Sequence, residues 1–266
     1  MKILNGKELA GFIKERQATL IQQIGTGARR PKLLIIRDSD NPVIVKYVKL
    51  KMAYGEDIGV LVEDFKAKSS EDIREKILLA NTDDTVDGII LQLPIIEKEK
   101  TDELTDLIAP EKDVDGLSSD GVFDSATATA IWWLLTGYGI ELAGKKTAIV
   151  GRGKLVGAPL FKMFFDSKMP VEMFHRGSDL TKLKDFDIII SATGSAGLIL
   201  DEYVKSGAVV VDAGTASENG VLVGDVSKKV RDRTDLVAIT PIVGGVGPLT
   251  ITCLFEHLLD AFFKKA

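Results

Sequence analysis

Residues Gly151-Arg152-Gly153-Lys154-Leu155-Val156-Gly157 follow an apolar run, KTAIV, and open a segment with helical apolar spacing. Glycines in a strand–loop–helix context let the backbone approach a pyrophosphate, whose charge the helix N-terminal amides and dipole then hold. The spacing G-x-G-x-x-x-G is one residue longer than the commonest dinucleotide fingerprint, so an ordinary strand-to-helix turn is the alternative for this motif by itself. The next run, PVEMFH, ends in Phe174, His175 and Arg176 rather than in the carboxylate that accepts from the ribose hydroxyls of NAD. A guanidinium at that place can pair with a 2′-phosphate, and Arg152 can lean the same way, which favours NADP over NAD. Without the glycine loop, His175 and Arg176 would read as residues solvating a strand end.

A second group could move protons. Tyr47 and Lys51 are four residues apart on an expected helix and so share a face. Gln92 stands at the end of the ILQLP strand, and Asp115 in the loop EKDVDG. Ligands of parallel sheets gather beyond the carboxyl ends of the strands. A lysine, an amide, a phenol and a carboxylate converging in one cleft could transfer protons and bind an aromatic heterocycle. Singly, each has a plainer explanation: Lys51 as a solvated charge among several lysines, Tyr47 as core, Asp115 as a turn residue before glycine.

The elements that must position these residues alternate. Residues 7 to 24 carry a helical rhythm through Leu9, Phe12, Ile13, Leu20 and Ile21. PKLLIIRD, VLVEDFKA and DGIILQLP read as strands, with helices over 43 to 57 and from about Ser70, a possible cap, to Asn81. The stretch 113 to 124, DVDGLSSDGVFD, has the composition of a domain junction, and a helix through ATAIWWLLTGYG follows. Strands KTAIVG, PVEMFH, DIIISAT, AVVVDAG and LVAIT then repeat the rhythm, and PIVGGVGPLT opens a final helix that runs to Phe263. The expectation is two α/β domains: a three-layer α/β substrate domain over 1–120 and a Rossmann-like dinucleotide domain over 121–246. A cleft would lie between them, and the helix 247–266 would return to the first domain.

Composition narrows the partners. Formal net charge over the 266 residues is −5, with basic and acidic residues interspersed, which argues against nucleic acid. The apolar runs read as too short to cross a membrane, and the amino terminus lacks the pattern of a secretory signal. One cysteine, Cys253, permits no internal disulfide, so the expected setting is the cytoplasm. Two histidines and no Cys/His cluster imply no metal.

Taken together, SDNP…KYVKLK, DGIILQLPI, PEKDVDG, VGRGKLVGAPL, FHRGSDLT, GAVVVDAG, VGDV and TPIVGGVGPLT cover nearly the whole chain in one order. With these motifs the chain resembles the bifunctional methylenetetrahydrofolate dehydrogenase/methenyltetrahydrofolate cyclohydrolase family. The resemblance implies NADP as cofactor, tetrahydrofolate derivatives as substrates and a homodimer. It implies that Lys51 assists both steps, that Gln92 bonds to the lysine and tunes it, and that Asp115 holds the pterin. Tyr47 would stack on the aminobenzoyl ring, with Leu91, Leu93, the loop Gly244-Gly245-Val246-Gly247-Pro248 and Thr250 around the folate. On the cofactor side it implies Gly151, Arg152 and Gly153 at the phosphates and His175 and Arg176 near the 2′-phosphate. Thr193, Gly194 and Thr215 complete that set, Thr215 by the nicotinamide end.

The chain also departs from the family pattern. P-C-T-P at the start of the linking helix is replaced by Ser125-Ala126-Thr127-Ala128, and the phosphate-loop serine by Gly153. Val243 and Ile44 stand where proline and serine are usual. Two other readings therefore stand beside the main one. One is a different two-domain NADP dehydrogenase acting on a small carbonyl or amino acid; the other is a relative that binds folate but has lost one or both activities.

Overall fold

The computed structural model describes residues 1–25, 27–214, 217–218 and 221–265. In chain order these form β1 (Lys2–Ile3), α1 (Gly6–Gln22), β2 (Lys32–Arg37), α2 (Pro42–Ile58), β3 (Leu61–Lys66), α3 (Ser70–Thr82), β4 (Gly88–Leu91) and α4 (Thr101–Thr105). They continue as α5 (Ala126–Gly137), β5 (Thr147–Val150), α6 (Gly157–Asp166), β6 (Val171–Phe174), β7 (Ile188–Ser191) and β8 (Val209–Asp212). The last are β9 (Ser217–Glu218), β10 (Val221–Leu222), α7 (Lys228–Arg231), β11 (Ala238–Ile239) and α8 (Val246–Lys265). The chain divides into two compact units, one of Gly11–Ala126 with Ile251–Ala266, the other of Met1–Ala10 with Thr127–Thr250.

The first of these units holds a parallel sheet in the order β3-β2-β4. Side chains alternate across it. Leu34, Ile36, Ile89 and Leu91 face Ile73 and Ile77 of α3 and Leu104 of α4, all almost completely buried. Each such isoleucine contributes roughly 1.5–3 kcal/mol by leaving water. On the opposite face glycines admit the other helices closely. A Cβ on Gly88 would lie 2.7 Å from Leu258 of α8, and one on Gly55 of α2 would lie 2.4 Å from Val62 of β3. Helices on both faces make the three layers that the sequence predicts.

Helix α2, which carries Tyr47 and Lys51, is well punctuated. Asn41 caps it by accepting from the Val43 amide at 2.9 Å, Pro42 occupies the first turn, and Gly59 ends it with φ +86°. For α3 the cap is Ser69, not Ser70: the Ser69 hydroxyl accepts from the Asp72 amide, whereas the Ser70 hydroxyl donates to Glu97.

The second unit is built on a six-stranded parallel sheet in the order β1-β11-β8-β7-β5-β6. Strands β5, β7 and β8 are buried at every position, which is why they read as unbroken apolar runs. From β5 the order steps to β6 on one side and to β7 on the other. That reversal opens a crevice at the carboxyl ends of β5 and β7.

Three expectations change. Residues 1–10 belong with this sheet rather than with a domain over 1–120, because Lys2 and Ile3 pair with Ala238 and Ile239. A two-residue strand has no periodicity to read. The boundary after the junction falls between Ala126 and Thr127 rather than at 120. Finally, α8 is long and apolar enough by composition to cross a membrane, unlike the runs considered above. Its Leu254, Phe255 and Leu258 are fully buried, so its apolarity is spent on the core.

Candidate active site

Lys51 projects from α2 toward the carboxyl end of β4, where its Nζ donates to Gln92 Oε1 at 2.8 Å. The side chain is 7% exposed, against the surface position usual for lysine. Burial pulls the Lys51 ammonium below the ordinary lysine range, and the charge of Asp115 opposes this. The Asp115 carboxyl is pushed up by burial and pulled down by Lys51. Amine and carboxyl thus approach one another in acidity, the condition in which a proton passes readily to and from a reacting group. Tyr47, one turn earlier on α2, is partly buried.

Asp115 is set by its own loop. Ile89 of β4 donates its amide to Lys112 O at 2.7 Å, so the segment runs alongside the strand. The buried Asp113 carboxylate accepts from the amides of Leu117 (2.8 Å) and Ser118 (2.7 Å), closing the turn around Asp115. His257 of α8 contacts Val114 O through Nδ1 at 2.9 Å and stacks on Phe123. The Ala126 amide, in the altered segment Ser125–Ala128, donates to Asp115 O at 3.0 Å. Sequence reasoning assigned no role to Asp113 or His257. Only the first lay in a motif that could have drawn attention, K-D-V-D-G.

Leu91 and Leu93 differ from Gln92 in where their side chains pack. Gln92 shares the sheet face of Gly88 and Ile90, under α2 and α8, whereas Leu91 is 2% exposed in the α3–α4 core cluster. Leu93 packs against the same cluster. Strand alternation turns the Leu91 side chain away from Lys51, while the Leu93 carbonyl accepts from Gln92 Nε2 at 3.2 Å.

The glycine loop before α8 sits in the other unit. Gly244 has φ +87°, and its carbonyl accepts from the Lys7 amide at 3.0 Å. A Cβ on Gly6 would lie 1.9 Å from Gly245 O, so α1 begins in direct contact with this loop. The need for glycine at position 6 is invisible to local pattern, since it arises from a partner more than two hundred positions away. Gly245 and Val246 are buried, Gly247 is exposed and Pro248 partly so. The Thr250 hydroxyl lies 3.4 Å from Val246 O in its own helix.

At the crevice beyond β5 and β7 lies a cavity of about 480 Å³, within the size range of small-ligand sites. Gly151, Arg152, Gly153, His175, Arg176 and Thr193 line it, and so do Ser178 and Ser195. Gly151 has φ +109°, and a Cβ there would lie 2.5 Å from Ala192 O. A Cβ on Gly157 would lie 1.9 Å from Gly151 O, so only glycine lets α6 start against the loop. Over Gly153 the space is open. The turn after β6 is closed by Ser178, whose hydroxyl accepts from the His175 amide at 3.0 Å, and this brings both His175 and Arg176 to the cavity. Gly194, with φ +67°, turns the chain between Thr193 and Ser195 and does not line the cavity. Thr215 lies outside the described residues.

Two family models match the chain. The tetrahydrofolate dehydrogenase/cyclohydrolase catalytic domain matches residues 4–115, and the NAD(P)-binding domain of the same name matches 125–266. The chain is 35% identical to the bifunctional protein FolD of Staphylococcus carnosus over 276 residues, covering 98% of this chain and 96% of that one. It is similar to the bifunctional enzyme FolD, a methylenetetrahydrofolate dehydrogenase/cyclohydrolase from Campylobacter jejuni, with TM-score 0.93, 32% identity and 100% of both chains covered. A Trypanosoma brucei methylenetetrahydrofolate dehydrogenase-cyclohydrolase, solved with NADP cofactor and an inhibitor, matches with TM-score 0.91 and 27% identity, covering 99% of this chain and 97% of that one.

Proposed function

Because the chain belongs to the tetrahydrofolate dehydrogenase/cyclohydrolase family, we propose that it oxidises 5,10-methylenetetrahydrofolate with NADP and hydrolyses the product to 10-formyltetrahydrofolate. The observation that carries this reading is a buried lysine, bonded to an amide and electrostatically coupled to a partly buried carboxyl.

The cavity beyond β5 and β7 fits a phosphorylated dinucleotide. Its wall carries no Cβ at Gly151, it is open over Gly153, and Arg152 and Arg176 bring positive charge to it. Arg152 and the loop amides would hold the pyrophosphate, and Arg176 the 2′-phosphate. NADP, when bound, accepts a hydride from the methylene carbon. The protein's share is to hold the folate, with Asp115 on the pterin and Tyr47 stacked on the aminobenzoyl ring.

In the second step water adds to the methenyl carbon. Lys51, in its neutral form, takes the proton of the attacking water, and Gln92 fixes the direction of its Nζ. Ring opening then gives 10-formyltetrahydrofolate with release of one proton.

The pH dependence follows. The neutral amine is the base, so hydrolysis is present above the Lys51 pKa and is lost as pH falls through it; burial places that limb below the ordinary lysine range. Gln92→Glu puts a carboxylate against Nζ and stabilises the ammonium. The limb is expected to move to higher pH by about one unit or more, lowering hydrolysis by about tenfold at a pH on the limb itself. Rate profiles of the two proteins between neutral and alkaline pH test this, and superimposable limbs would rule out coupling between Gln92 and Lys51.

The reading as a whole is tested by following methenyl absorbance after mixing protein and methylenetetrahydrofolate with NADP or NAD. Formation and decay are expected, faster with NADP; no methenyl species with either cofactor would sink the assignment. A homodimer in the cytoplasm belongs to the same reading, and light scattering on the purified protein reports its oligomeric state.

A further inference from the structure

The turn after β7 is held by a carboxylate for which the chemistry above has no use. Asp225 is fully buried. Its Oδ2 accepts from the Thr193 amide (2.7 Å), the Ser191 hydroxyl (2.8 Å) and the Thr193 hydroxyl (3.0 Å), and its Oδ1 from the Ser195 amide (2.8 Å). Gly214, just beyond β8, makes room for it: a Cβ there would lie 2.1 Å from Oδ1. Asp225 is itself fixed through its amide, which donates to Asp212 Oδ1 at 3.1 Å, and Arg231 pairs with Asp212. A carboxylate buried this deeply is tolerated only when donors surround it. Three of its four donors belong to Thr193 and Ser195, which line the dinucleotide cavity.

This arrangement also fixes how Thr193 meets a ligand. Its hydroxyl donates to Asp225 and accepts from the Ser195 amide at 3.1 Å, so the hydroxyl is engaged inside the protein. The Cγ2 methyl is the atom turned toward Gly151, 3.3 Å from where a Cβ would stand. The cavity wall is therefore shaped by a side chain whose polar end Asp225 holds away.

We propose that Asp225 is a positioning residue for NADP: it fixes the Thr193–Ser195 turn as one wall of the cofactor site. Cofactor affinity then depends on Asp225, while the folate side does not. The proposal rests on the reading of this cavity as the NADP site.

The test is full-length Asp225→Asn. An amide has one acceptor oxygen where the carboxylate has two, so its NH₂ confronts a backbone N–H of the turn. The Kd for NADP by direct titration and the KM for NADP are expected to rise about tenfold, with kcat at saturating NADP and the folate KM within about twofold of wild type. Ser191→Ala removes a single donor and is expected to raise both NADP constants about two- to threefold, which keeps the test intact if Asp225→Asn does not fold. A folded Asp225→Asn with unchanged NADP binding would overturn the positioning role alone. So would equal losses in folate affinity, kcat and NADP affinity with a lowered Tm, which would make Asp225 a general stabiliser. Wild-type protein that binds no NADP would overturn the cavity assignment together with the proposal.

Discussion

Lys51→Met is expected to reduce cyclohydrolase turnover by about a thousandfold, within the range lost when a positioned proton acceptor is removed. Methionine keeps most of the lysine stem's volume and carries no charge. The substitution replaces a buried amine by an apolar group, so the folded state is expected to persist, with Gln92 Oε1 losing its 2.8 Å donor. The Asp115 carboxyl, no longer drawn down by Lys51, shifts further upward in pKa. Folate affinity is expected to change by less than about tenfold, since the remaining contacts of the substrate are untouched. Single-turnover decay of methenyltetrahydrofolate measures the chemical step directly. If Lys51→Met, shown to be folded by its circular dichroism, hydrolysed substrate at the wild-type rate, the amine would have no part in the reaction.

The second large effect belongs to Gly157→Ala. A methyl there would meet Gly151 O at 1.9 Å, a backbone atom in a loop whose own Gly151 is pressed against Ala192 O. Neither neighbour is the free end of a flexible side chain, so α6 or the glycine loop must shift. Overpacking of this kind costs about 1–3 kcal/mol of stability. The shift falls on the residues that would hold the pyrophosphate, where a displacement of about 1 Å costs on the order of a hundredfold. The expected result is a kcat/KM for NADP lower by about a hundredfold and a Tm lower by several degrees, with folate binding retained. Gly153→Ser supplies the contrast: the same loop, no atom within 4 Å of the added Cβ, and activity expected within about threefold of wild type. Equal behaviour of the two variants would mean that crowding at the start of α6 does not govern cofactor binding.

Much of the architecture was legible beforehand, and for a local reason. Buried parallel strands must be apolar at every position, so KTAIV, DIIISAT and AVVVDAG declared themselves. Helix α2 was bounded by Asn41, Pro42 and Gly59, whose effects reach only a few residues. Tyr47 and Lys51 shared a face because helical geometry requires it. The glycine loop and the Arg176 turn were readable because their conformations depend on glycines and on the ends of two adjacent strands.

What the chain composition and spacing left undecided was everything set by a partner distant in sequence. The bond from Lys51 to Gln92 joins residues 41 apart, and the lysine's lowered pKa comes from the packing that buries it. Leu91 looked like a neighbour of Gln92 in a ligand site, but the pleat turned it into the opposite core. Lys2 and Ile3 had no pattern of their own and gained a strand only by pairing with Ala238 and Ile239. Asp225 resembled any acidic loop residue until four donors converged on it. Local sequence determined which segments become helix, strand or turn, since φ/ψ preference and side-chain periodicity act over a few residues. Tertiary structure alone decided which polar groups lose water and which donors meet them, and that desolvation is what pulls Lys51 below the ordinary lysine range.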